Sequence, residues 1–313
     1  MKGLELAKLY FEEYGKKMIE NDFGDISPCI AVALTGSGSE CYGYDDEISL
    51  DHDFEPGFCI FLPGTDLVDE KTEFRLERAY AALPKEFMGY KRKTISPVGG
   101  SRHGVFRAAE YYTDRIGCPD GVLSDGQWLS IPDHVLAEAV NGKVFRDDSG
   151  LITGVREKLM NMPRDIFLKK LSGSVLTMAQ TGQYNYERCL LRGDLGAAQL
   201  TVIEYVNAAM RAVFLLNRSY MPYYKLRFRA MRELEKLSGL TGVFEYLISS
   251  GNDKESAKEK LAAIKTVSEV ISDEISGQGI ASLSGDNLEK LAYSINEAIE
   301  NHDIRNMGVS QAF

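Results

Sequence analysis

Gly36-Ser37-Gly38-Ser39, a spacer of eleven residues, and then Asp51-His52-Asp53 decide the reading of this chain. Apolar runs flank the pattern, Ile30 to Leu34 before it and Phe54 to Leu62 after it, and both read as buried strands. A strand has a period of two, so Asp51 and Asp53 fall on one face. Paired carboxylates suit a hard divalent cation such as Mg²⁺, which prefers oxygen and is commonly held by one or two carboxylates plus substrate phosphates. The Gly/Ser turn upstream offers backbone N–H groups and a hydroxyl to anionic oxygens. The plainer alternative is an Asp-rich turn at a strand edge beside a flexible loop.

Working outward, Leu4, Ala7, Tyr10, Phe11, Tyr14 and Met18 recur at helical spacing, so residues 3–21 read as an amphipathic helix. Residues 66–83 read as a helix stopped by Pro84. Residues 88–98 and 104–106 read as short strands around the turn Gly99-Gly100-Ser101, and 108–116 as a helix ended by Gly117. From 151 onward the pattern is helical, over 151–161, 163–182, 194–217, 223–237, 240–250, 254–275 and 285–302. The expected fold class is α+β. Residues 1–120 form a mixed sheet with flanking helices, 121–150 a junction, and 151–313 an all-helical domain.

The net charge is −10, and residues 239–313 contribute −6 of it, from six Lys/Arg against twelve Asp/Glu. Phosphate neutralisation supplies most non-specific nucleic-acid affinity, so this balance argues against general nucleic-acid binding. No segment reaches eighteen uncharged apolar residues, so no membrane span is expected. The five cysteines are scattered, without a Cys-x-x-Cys, which fits a reducing cytoplasm better than a disulfide or zinc frame.

Gly38-Ser39 followed by Asp51 and Asp53 on a strand resembles the nucleotidyltransferase superfamily of the DNA polymerase beta and kanamycin nucleotidyltransferase type. Three further segments resemble a bacterial family called DUF4037, which places such a domain before a helical one. They are Gln127-Trp128-Leu129-Ser130-Ile131-Pro132, Gly142-Lys143-Val144-Phe145-Arg146-Asp147, and the stretch Phe214 to Lys225. The resemblance spans roughly residues 25–237. It implies Mg²⁺ or Mn²⁺ held by Asp51 and Asp53, with Gly38 and Ser39 against the triphosphate of a nucleotide, ATP first among them. A nucleoside monophosphate would pass to a hydroxyl of a small-molecule or macromolecular acceptor. A homodimer stays open.

One departure stands out. Such enzymes commonly place a third carboxylate on a later strand, yet no Asp or Glu occurs between Glu86 and Glu110. His103 is a candidate base, because imidazole titrates near neutrality. Glu110 is a second candidate, and the helical domain supplies a third. There Glu204, Asn207, Arg211 and Arg218 form a polar stripe on an apolar helix, which either faces solvent or lines a cleft between domains. Lys225 reads as lying near a helix start, where a cation calls for an anionic partner. Lys91, Arg92, Lys93 and Arg102 would steer a triphosphate, or form an exposed basic hairpin. Three readings remain: a transferase, a catalytically degenerate nucleotide-binding regulatory module, and an interaction protein using its acidic helical tail.

Overall fold

The computed structural model describes residues 1–47, 55–92, 102–281 and 287–311. It is α+β, with a small mixed sheet in the N-terminal half and a helical C-terminal region. The chain falls into two compact units, residues 1–123 with 135–161, and residues 124–134 with 162–313.

In the first unit, α1 (Gly3–Tyr10) runs through a π-turn at Phe11–Gly15 into α2 (Lys16–Asp22). The apolar residues of this stretch are buried as their spacing requires, with Leu6, Tyr10 and Ile19 fully so. A π-turn inserts one extra residue into the helical ladder. Here a side chain at Gly15 would collide with the Phe58 ring, so glycine lets helix and sheet approach closely.

The sheet contains β1 (Ala31–Leu34), β2 (Cys59–Leu62), β5 (Gly104–Arg107) and β6 (Lys143–Asp147), in the order β5-β2-β1-β6. β1 is antiparallel to both its neighbours, and β2 runs parallel to β5. β1 and β2 are buried along their whole length, so they read as unbroken apolar runs rather than alternating ones. Between β2 and β5 lie α3 (Glu70–Ala82) and a hairpin of β3 (Glu86–Phe87) and β4 (Tyr90–Lys91). Asp69 caps α3, accepting from Thr72 N at 2.7 Å. α4 (Ala108–Ile116) follows β5 directly and ends at Gly117, as read from the sequence.

Three expectations change. Strand pairing begins at Cys59, and residues 55–58 are not strand, so the strand is shorter than the apolar run. Met88 and Gly89, both at positive φ, form the two-residue turn of the β3–β4 hairpin rather than part of a long strand. Residues 143–147, placed in the junction, form the edge strand β6 beside β1. A 3₁₀ turn at Ser39–Tyr42 follows the Gly/Ser loop.

The second unit contains α5 (Asp125–Ser130), and its residues Asp133 and His134 open α6 (Asp133–Val140), whose remainder belongs to the first unit together with α7 (Thr153–Met160). It continues with α8 (Arg164–Met178), a π-turn, α9 (Tyr186–Leu191), α10 (Leu195–Leu216), α11 (Arg227–Arg232), α12 (Thr241–Ser249), α13 (Lys254–Gly277), α14 (Leu288–Glu297) and α15 (His302–Asn306). α10 is long and apolar enough to cross a membrane by length and composition, but 61% of that stretch is buried inside the protein, as in a core helix. Side chains cap the helix starts: Asp194 for α10, Asp253 for α13 and Asn287 for α14.

The expected helix 223–237 shrinks to a 3₁₀ turn at Tyr224–Leu226 followed by α11. Asn217 supplies one reason. Its side-chain amide pairs with both backbone groups of Lys236, donating to the carbonyl at 3.0 Å and accepting from the N–H at 2.9 Å. Those groups then lie outside any helical ladder.

Candidate functional site

The loop leaving β1 builds one wall of a small, open recess in the first unit. Thr35, Gly36, Ser37 and Gly38 line it, with Glu40 and Cys41 from the 3₁₀ turn. Arg102 and His103, just before β5, and Arg115 on α4 complete it. Gly36 adopts φ +123°, which side-chain-bearing residues rarely tolerate. Its backbone is held by Asn141, at the foot of β6: Asn141 Nδ2 donates to Gly36 O at 2.7 Å, and Gly36 N donates to Asn141 Oδ1 at 3.0 Å. Thr35 Oγ1 lies 3.1 Å from the same Oδ1. Gly38 is glycine for a steric reason, since a Cβ there would fall within 1.8 Å of the Glu40 carboxylate.

Charge in the recess is mixed. Arg115 packs over the Tyr111 ring, 3.5 Å from its centroid, and Tyr111 packs edge-on against Phe61 of β2. Glu40 is buried, with its carboxylate beside Cys41. Burial first, and the Glu40 charge second, push the Cys41 thiol well above its ordinary value, while Arg102 pulls the other way. Cys59 of β2 donates its thiol to Arg102 O at 3.2 Å, and burial pushes it up to about 12. Neither thiol is an ionised nucleophile at neutral pH.

His103 is buried, and its Nδ1 lies 3.1 Å from Glu55 Oε1. That contact with the Glu55 carboxylate orients the imidazole ring. Glu55 continues the every-second-residue acidic spacing of Asp51 and Asp53, the signal that would have found it in the sequence. Arg115 and Asn141 carry no such signal, because one reaches the recess and the other the Gly36 backbone from elements far along the chain.

Of the candidates read from the sequence, Gly38, Ser39 and His103 fall in this one region, Ser39 half-buried on the turn that carries Glu40 and Cys41. Asp51 and Asp53 lie outside the described residues. Glu110 is exposed on α4. Glu204 and Lys225 are exposed residues of the second unit. Lys225 sits in the 3₁₀ turn directly ahead of α11, a helix of 6 residues. The polar stripe on α10 splits: Asn207 and Arg211 join a half-buried polar group in their own unit, while Arg218 stacks on Phe167 at 3.6 Å. The basic cluster also splits. Arg92 is tied to Tyr80, over its ring and onto its carbonyl at 3.1 Å, Lys91 faces Glu86, and Arg102 lines the recess. Lys93 lies outside the described residues.

Among the described residues no three His, Cys, Asp or Glu side chains converge as a metal-binding group. Beside the Glu40 carboxylate, the recess offers two guanidinium groups, donors that suit an anion.

Residues 128–226 match the model of a family described as Domain of unknown function (DUF4037). The match supports the likeness drawn from the junction and from the stretch around Phe214 to Lys225. No curated protein and no solved structure matches the chain.

Proposed function

We propose that the chain is a Mg²⁺-dependent nucleotidyltransferase that moves a nucleoside monophosphate from a nucleoside triphosphate, ATP first among them, to a hydroxyl of an acceptor. The observation that carries this reading is the recess after β1, where the Gly36–Ser39 turn, Arg102, Arg115 and the His103–Glu55 pair meet at one end of a mixed sheet. Gly38 and Ser39 would lie against the triphosphate, and the two arginines would offset its charge. Asp51 and Asp53 would hold the metal, which when bound neutralises phosphate charge and makes the acceptor hydroxyl easier to deprotonate. His103, oriented by Glu55, would take that proton.

The experiment is incubation with labelled nucleoside triphosphates, Mg²⁺ and a cell extract, reading pyrophosphate release and the destination of the label. Label transferred to an acceptor with stoichiometric pyrophosphate supports the reading. Nucleotide bound without pyrophosphate release favours the second reading, a regulatory nucleotide-binding module. One feature speaks for that alternative: β5, Gly104-Val105-Phe106-Arg107, carries no acid. No metal-dependent nucleotide binding at all would overturn both.

A further inference from the structure

The second unit holds a charged group of its own. Asp133 Oδ1 accepts from Lys170 Nζ at 2.9 Å, and Asp133 Oδ2 lies 3.3 Å from Arg211 Nε. One turn before Arg211 on α10, Asn207 Oδ1 accepts from Arg227 Nη1 at 2.9 Å, and Arg227 Nε donates to Pro222 O at 3.2 Å. Both acceptors of Arg227 are neutral. Burial lowers the guanidinium's pKa from its ordinary value, and the Arg211 charge adds to that, with Asp133 opposing. A half-buried cation that meets a second cation and bonds to neutral oxygens has strong reason to take up an anion.

Rings flank the two cations. His134 follows Asp133 in sequence and packs against Tyr223, with centroids 5.6 Å apart. Tyr223 follows Pro222, the acceptor of Arg227, and packs against Tyr224 at 4.5 Å. Tyr223 and Tyr224 are 43% and 64% exposed, so their faces remain available to a planar group. Tyr220 is held neutral by burial, with the Asp133 charge adding to the effect, which leaves its hydroxyl a donor at any ordinary pH.

We propose that Arg211 and Arg227 form a binding site for a phosphate monoester, with the Tyr223 and His134 rings as a stacking surface for a planar group carried on that phosphate. Two guanidinium forks suit a dianion with three terminal oxygens better than they suit a carboxylate. All the residues lie in the helical unit, so the inference does not depend on the nucleotide reading of the recess.

Calorimetric titration of the full chain with inorganic phosphate and with phenyl phosphate, at low salt and neutral pH, tests it. Both probes bind, phenyl phosphate more tightly. Arg227→Gln weakens both by about tenfold or more, the size of one lost charge-assisted hydrogen bond. Tyr223→Ala weakens phenyl phosphate alone, and Lys258→Gln, which removes an exposed cation on α13, leaves both affinities unchanged. Circular dichroism checks that each variant folds; if Arg227→Gln does not, Arg227→Lys replaces it and loses the forked geometry while keeping the charge. The proposal is overturned if neither probe binds, if the Arg227 variant binds both as the parent does, or if the loss follows Arg115→Gln, a substitution in the recess of the first unit, instead. Phenyl phosphate binding no tighter than inorganic phosphate would remove the stacking half of the proposal and leave free phosphate as the ligand.

Discussion

Asn141 and Gly36 are joined as two strands would be, the side-chain amide of one pairing with both backbone groups of the other at 2.7 and 3.0 Å. The partners are 105 residues apart in sequence, and the contact fixes the loop that follows β1. Asn141 accordingly acts on the recess without lining it.

Replacing Asn141 with alanine strips both partners from the Gly36 backbone. Removing partners from part-buried groups costs about 1–3 kcal/mol, so urea denaturation of Asn141→Ala should show a loss of that size. Nucleotide affinity should fall with it, because the loop loses its anchor. Unchanged stability would mean that water replaces the amide at no cost.

Gly38→Ala places a methyl where the Glu40 carboxylate now lies, within 1.8 Å. The carboxylate must move, and the loop backbone can no longer approach a ligand as closely. Nucleotide affinity should drop by about tenfold, equivalent to roughly 1.4 kcal/mol. Adding Glu40→Ala should return part of any lost stability. A double variant no more stable than the single one would place the collision elsewhere.

Asp53→Asn removes one negative charge from the proposed metal pair while keeping its shape. Metal-dependent nucleotide binding should vanish with little change in melting temperature. A large fall in melting temperature with binding intact would assign Asp53 a structural role.

Asp133 balances Lys170, and both side chains are almost wholly buried, at 9% and 4% exposure. Asp133→Ala leaves that lysine charged in a low-dielectric setting, which typically costs about 3–5 kcal/mol. Denaturant titration reads this directly. A loss under about 1 kcal/mol would show that the ammonium reaches water once its partner is gone.

Cys59 should resist alkylation in the native state, because its thiol is both buried and held protonated up to about 12. Brief iodoacetamide treatment near neutral pH, read by mass spectrometry, should leave its peptide unmodified until the chain is unfolded. The sign for stability follows from the same shift. The native thiol keeps its proton where the unfolded one, near 9, loses it, so this contribution is whole below about 9 and falls away as pH rises towards about 12. Stability that stayed level across that window would remove Cys59 from the account.

Local patterning carried much of the fold. α4 ends at Gly117 as the sequence indicates, and β1, α10 and α13 stand within a residue or two of their expected bounds. These elements were legible because their own residues pay little attention to distant partners: periodic apolar faces, a capping Asp, a glycine at positive φ. β6 was not legible. Lys143 to Asp147 is a polar edge strand, at best half-buried on every residue but its exposed first, and only its pairing with β1 makes it a strand.

The candidate site divides along the same line. Sequence by itself determined the Gly36–Ser39 turn and marked His103, because a glycine-rich turn after an apolar strand and a lone titratable residue before another are local signals. Only tertiary structure brought Glu55, Arg115 and Asn141 to them, and only tertiary structure split the stripe on α10, turning Asn207 and Arg211 to Arg227 and Asp133 while Glu204 stayed in water. The reason is physical. Helical and strand periods depend on neighbours a few residues away, whereas a buried charge finds its counterpart wherever packing brings one, and spacing along the chain does not record that distance.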